Sequence, residues 1–108
     1  MPVSHPTNLK ELEQYIFQKQ SIVIVKFSAT WCGPCKMIAP LFHQLSDDPK
    51  YKSMIFLDID VDVAKDIAEN FNISAMPTFM AIKNNVKVSE FQGASKDKLR
   101  QMVDSLCK

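Results

Sequence analysis

The chain has 108 residues, 46% hydrophobic and 23% charged, the size and mix of one ordinary globular domain, so residues 1–108 are expected to fold as a single unit. Thirteen Lys and Arg against twelve Asp and Glu leave a formal charge of +1, which argues against nucleic acid or an anionic membrane as a partner. No apolar run approaches the roughly 18–20 residues of a membrane span, the start MPVSHPTNLKELEQ lacks the apolar stretch of a secretory signal, and three cysteines are too few for a disulfide-stapled secreted fold, so a cytoplasmic protein is expected.

In chain order, Asn8 to Glu11 has the form of a capping box, with Glu11 reaching back, and Leu9, Leu12, Tyr15 and Ile16 predict a helix over 9–19. Residues 22–27 are rich in β-branched side chains and apolar on both faces except at Lys26, the pattern of a strand covered on both sides. A turn over 30–33 leads to helical spacing over 34–47, with Pro40 expected to kink that helix. A second buried strand is predicted over 54–59, then a short helix over 63–70 with Asp62 as its N-cap. Strands over 78–82 and 86–91 are joined by Lys83-Asn84-Asn85, a hairpin turn because Asn tolerates positive φ. Ser95 caps a last helix over 96–106. Strand–helix–strand order followed by a hairpin predicts an α/β fold, a central mixed β-sheet flanked by helices on both faces.

The chemistry lies in Cys32-Gly33-Pro34-Cys35, where a strand ends and a helix begins. A helix N-terminus offers unpaired N–H groups and the positive end of a dipole, both of which stabilise a thiolate. Cys32, first at the helix start, gains most and projects outward, while Cys35 lies nearly a turn further and is shielded. Hence Cys32 is expected to attack and Cys35 to resolve. Half of a zinc site is the competing reading, but the remaining ligand types are one cysteine, Cys107, and two isolated histidines, His5 and His43. Two unrelated buried cysteines would leave Gly33 and Pro34 unexplained.

The run Phe27-Ser28-Ala29-Thr30-Trp31-Cys32-Gly33-Pro34-Cys35-Lys36 resembles the active-site signature of the thioredoxin family. The resemblance continues through Pro40, Met76-Pro77-Thr78-Phe79 and Phe91-Gln92-Gly93-Ala94, and covers essentially the whole chain. It implies a thioredoxin fold and a protein-disulfide reductase cycling between Cys32/Cys35 dithiol and disulfide. It implies no bound cofactor; the electrons come indirectly from NADPH through a separate thioredoxin reductase. The expected partners are protein disulfides and that reductase, and the expected state is a monomer. Gly33-Pro34 would restrict the active-site turn and favour the reducing role, whereas relatives with His after the Gly are isomerase-like. Pro77 would carry a cis peptide bond facing Cys32, and the backbone of Met76 would pair with an extended substrate strand. Trp31, Gly33, Pro34, Met76, Gly93 and Ala94 would form an apolar docking surface, with Gly93 sparing the substrate backbone a Cβ. Lys36 is read either as a steering cation or as a solvated helix residue, and Cys107 as a helix residue or a regulatory thiol. A different class of function, a binding module with redox state as its switch, keeps the same surface without turnover.

One position departs from the family pattern. Where thioredoxins typically carry a buried Asp, six residues before the first cysteine, this chain has Lys26. Alternation places Ile24, Lys26 and Ser28 on one covered face, and a buried ammonium is costly unless paired. Asp58 on the neighbouring strand is the available partner, which would make a swapped pair in which Asp58 inherits the proton relay and Lys26 favours the Cys35 thiolate. The alternative is that Lys26 extends its ammonium to the surface and leaves the thiols untouched.

Overall fold

In the computed structural model, which describes residues 3–18 and 21–107, every expected element is present. The first helix, α1 (Leu9–Ile16), is capped by Asn8, whose side chain accepts from the Glu11 N–H at 2.9 Å. Glu11 does reach back, but one residue further than a capping box requires, to the N–H and hydroxyl of Thr7 at 2.7 and 2.9 Å. These bonds hold its carboxyl below the ordinary value, the backbone N–H contributing most. The helix stops at Ile16, short of the expected 19, and residue 19 lies outside the described residues. Beyond Leu12 and Ile16 no apolar side chain continues the buried stripe, and Phe17, its C-cap, is exposed.

β1 (Ile22–Ser28) lies at the centre of a four-stranded sheet. It pairs in parallel with β2 (Met54–Asp60) and antiparallel with β3 (Thr78–Lys83), and β3 pairs antiparallel with β4 (Val86–Gln92), giving the order β2-β1-β3-β4. Alternate residues of β1 serve two cores. Ile24 faces the long helix α2 (Gly33–Asp47) and the C-terminal helix α4 (Lys96–Leu106), among Ile38, Phe42, Phe79 and Leu99. Val23, Val25 and Phe27 face α1 and the short helix α3 (Lys65–Asn70), among Leu12, Ile16 and Ile67. Helices therefore cover both faces of the sheet, as the strand pattern requires. α2 runs through Pro40 as one helix.

Two loops differ from expectation. α3 begins at Lys65, with Ala64 as a cap that makes no side-chain hydrogen bond. Asp60 rather than Asp62 organises the preceding turn: its side chain accepts from the Asp62 N–H at 2.9 Å and its carbonyl from the Ala64 N–H at 2.8 Å. The hairpin is a two-residue turn, Asn84 and Asn85 at φ +51° and +67°, the left-handed pair that a primed turn needs. β4 forms an edge, and opposite Ala81 and Ile82 of β3 it carries one extra residue, Val88, as a bulge. At the other edge Ser4 bridges Leu57, its N–H donating to the Phe56 carbonyl at 3.1 Å and its carbonyl accepting from the Asp58 N–H at 2.9 Å. Nothing in the sequence marked that segment as sheet.

Candidate active site

β1 delivers the chain to the active site. After Ser28 and the buried Ala29, Cys32 donates its N–H to the Ala29 carbonyl at 3.2 Å and becomes the N-cap of α2. Its sulfur accepts the Cys35 N–H at 3.2 Å, the place a serine or aspartate oxygen takes at other helix starts. Gly33 and Pro34 fill the first turn, where the N–H that proline lacks would have no intrahelical partner. Cys32 and Cys35 are joined as a disulfide with Cα atoms 5.3 Å apart, inside the usual span. Their sulfurs, which a zinc site would need, are bonded to each other. In this oxidised form Cys32 does not project outward: it is 4% exposed and Cys35 1%. Burial cannot rank the two thiols while they are bonded; position at the helix end can.

The surroundings divide into two sides. On one, Met76 packs against Ala29, Cys32 and Cys35. Met76-Pro77 is a cis peptide, as expected, and the Pro77 carbonyl accepts the Gly93 N–H at 2.9 Å, which ties the loop after β4 to the start of β3. Gly93 and Pro34 are exposed and Ala94 half-buried. Gly93 has φ +100°, and a Cβ there would meet no atom within 4 Å; backbone conformation, not crowding within the fold, is the structural demand for glycine. Trp31 is 66% exposed, and its indole N–H donates to the Asp62 carboxylate at 2.8 Å. Asp62, expected as a helix cap, instead anchors this ring, a pairing that a separation of 31 residues hid from sequence reasoning.

On the other side lies a cleft of about 440 Å³ that reaches Cys35 from behind. Lys26, Ser28, Asp58, Asp60, Lys36 and His5 contribute to its wall. Lys26 is 3% exposed, its ammonium 3.6 Å from Asp58 Oδ2 and 5.9 Å from the centre of the Phe42 ring. The pairing follows from register, since Lys26 and Asp58 are direct partners across β1 and β2. Ser28 donates its hydroxyl to Asp58 Oδ1 at 2.7 Å. His5 is brought here by the Ser4 bridge, its Nδ1 lying 3.2 Å from the Asp58 carbonyl. The surface-lysine alternative therefore fails for Lys26. Lys36 and His43 are exposed. Cys107, half-buried at the end of α4, points its thiol at the Lys50 carbonyl, 3.5 Å away, remote in sequence from the disulfide. Among the described residues no helix is long and apolar enough to cross a membrane.

The thioredoxin family model matches residues 3–105. The chain belongs to the thioredoxin family. It is 47% identical to sheep thioredoxin (Ovis aries) over 91% of this chain and 98% of the ovine protein. It is 52% identical to human thioredoxin (Homo sapiens) over 79% of each chain. Among solved structures, Schistosoma mansoni thioredoxin superposes with a TM-score of 0.87 at 43% identity, covering 97% of this chain and 95% of that one. The sheet order and flanking helices are those of the thioredoxin fold. The protein is a protein-disulfide oxidoreductase that acts by dithiol–disulfide exchange through the Cys32–Cys35 pair.

Proposed function

We propose that this thioredoxin reduces protein disulfides with Cys32 as nucleophile and Cys35 as resolving thiol. The Cys32 thiolate attacks one sulfur of a target disulfide; that bond breaks, a mixed disulfide forms, and the departing thiolate takes a proton from water. Cys35 then gives up its proton and attacks the Cys32 sulfur, closing the Cys32–Cys35 bond and releasing the second target thiol. Two electrons have passed to the target. An NADPH-dependent thioredoxin reductase returns two electrons to the disulfide, and the protein itself binds no cofactor. The observation that carries the assignment is the Cys35 N–H on the Cys32 sulfur at the N-terminus of α2, a donor aimed at the atom that must hold negative charge.

Gly33 and Pro34 keep the turn short, and the surface made by the exposed Trp31 and Gly93, the half-buried Met76 and Ala94 and the buried Pro77 beneath them receives an extended target strand beside the disulfide. The protein works as a monomer in the cytoplasm, a reading supported by its near-neutral charge and its low cysteine content. The test is insulin reduction driven by dithiothreitol, which a catalyst hastens and a binding module does not. Cys35→Ser is expected to accumulate mixed disulfides with targets and Cys32→Ser is not; equal trapping by the two variants would overturn the assignment.

A further inference from the structure

The resolving step has a proton to dispose of. Cys35 is 1% exposed and sits below the docking side, so its proton must leave through the interior face of the site. The cleft behind the disulfide adjoins Cys35, and none of Trp31, Met76, Pro77, Gly93 or Ala94 lines it. A target lying across the docking surface would therefore leave it open. Its wall carries two carboxylates. Asp60 is engaged by the Asp62 N–H in the turn before α3. Asp58 is held from two directions, by Ser28 at 2.7 Å on one oxygen and by Lys26 at 3.6 Å on the other.

We propose that Asp58 accepts the proton of the Cys35 thiol through this cleft, and that Lys26 and Ser28 are positioning residues that hold its carboxylate there. The proposal rests on the reading of Cys35 as the resolving thiol. In the step itself the Cys35 S–H bond breaks, its electron pair forms the bond to the Cys32 sulfur, the bond from Cys32 to the target breaks, and the target leaves as a thiolate. The proton moves to Asp58 and from there to solvent in the cleft, so no oxidant or reductant beyond the target is needed. The arrangement also accounts for a lysine in the interior. Its ammonium is covered, paired, and set against the Phe42 ring, and with Lys26 replaced by an apolar residue Ser28 alone would fix the carboxylate. The charged and titratable groups facing Asp58 are Lys26 from β1, Cys35 and Lys36 from α2, His5 from the N-terminal segment and Asp60 from β2 itself.

Ellman's reagent separates the steps. With Cys107, the third thiol, replaced by Ser in every protein compared, the reduced protein releases one thionitrobenzoate when Cys32 attacks, at a rate proportional to reagent concentration. It releases a second when Cys35 resolves, at a rate independent of that concentration. General-base assistance contributes ~10²–10⁴-fold, so Asp58→Asn is expected to slow the second release at least about tenfold near neutral pH and leave the first unchanged. The second release in that variant should then rise about tenfold per pH unit, because solvent must take the proton. Asp58→Glu should restore most of the rate, and Lys26→Met should slow the second release alone. An Asp58→Asn protein whose second release keeps the parent rate and pH profile would overturn the proposal. So would equal loss in Asp58→Asn and Asp58→Glu, since the carboxylate would then serve only the structure. A second release that persists in Cys35→Ser would instead defeat the reading of Cys35.

Discussion

The Gly93 backbone sits in the left-handed region at φ +100° with open space where a Cβ would stand. Gly93→Ala is therefore opposed by backbone conformation alone, which costs on the order of 1–2 kcal/mol for an L-residue. Chemical denaturation should show a loss of about that size, with the slope of the transition unchanged. The disulfide itself should still form, because Cys32 and Cys35 belong to a different segment. Single residues were legible in the sequence where one chain segment determines them: Cys32 at a helix start, Ser95 as a cap, two asparagines in a tight turn. Asp62 was not. Its carboxylate had a local role available, as an N-cap, and a distant one, as acceptor for Trp31, and the turn organised by Asp60 gave it the distant one.

Between elements, the C-terminal helix is tied to the short 3₁₀ turn at Pro49–Tyr51 by a polar cluster that no motif announced. The Tyr51 hydroxyl donates to Asp104 Oδ1, and the Lys50 ammonium lies 3.2 Å from the same oxygen. The Tyr51 bond, and after it the Lys50 bond, holds the Asp104 carboxyl below its ordinary value of 3.8. Asp104 in turn raises the Lys50 ammonium and the Tyr51 hydroxyl above theirs. A lowered carboxyl adds stability that is complete above the unfolded value and is lost as pH falls through the folded one. The raised Lys50 and Tyr51 add stability that is complete below their unfolded values and fades as pH rises through the folded ones. Tyr51→Phe should therefore lower the melting temperature at neutral pH. The gap between parent and variant should narrow as pH drops below about 4 and again in the alkaline range above about 10, near the ordinary carboxyl, tyrosine and lysine values. A gap constant across that span would show that the cluster adds nothing beyond the packing of the ring. Elements were more legible than the ties between them. Periodicity within one segment marks a helix or strand, whereas Tyr51 and Asp104 meet only because the sheet and α2 bring their ends together.

Across the whole molecule, Phe42 is the hub of one face. It lies on α2 with no exposed surface, 5.4 Å from the Phe56 ring and 5.9 Å from Phe79, and Phe79 stacks on Phe91 at 5.0 Å. Rings from one helix and three strands thus form a continuous row beneath the active site. Phe42→Ala should cost ~3–5 kcal/mol, the usual range for a buried phenylalanine, as a lower urea midpoint. It also removes the ring under the Lys26 ammonium, so the Cys32–Cys35 redox potential is a second quantity to follow in a conservative Phe42→Leu variant. At this scale the fold class was readable because strand, helix and hairpin order admits few topologies. The Lys26–Asp58 pair was readable for a related reason: parallel pairing of two buried strands left one lysine facing one aspartate. The cleft was not, since one wall depends on residues before the first helix, which the Ser4 bridge, the His5 contact to Asp58 and the packing of Val3 hold beside β2.

The two margins of the sheet have unequal consequences for crowded solution. Ser4 occupies the backbone groups along the middle of β2, whereas β4 presents its outer row unpaired, with Val86 61% and Val88 48% exposed. A margin of that kind invites another chain to extend the sheet, the first step towards fibrous aggregates. The extra residue at Val88 breaks the regular pleat, and it brings Lys87 and Glu90, three apart, to 2.8 Å on the same margin. A visiting strand would have to match a twisted, interrupted ladder and displace that ion pair. Colloidal stability in this protein is thus governed by a few atoms at one hairpin, far from the chemistry, and a mutation that straightened β4 would threaten solubility before it touched catalysis.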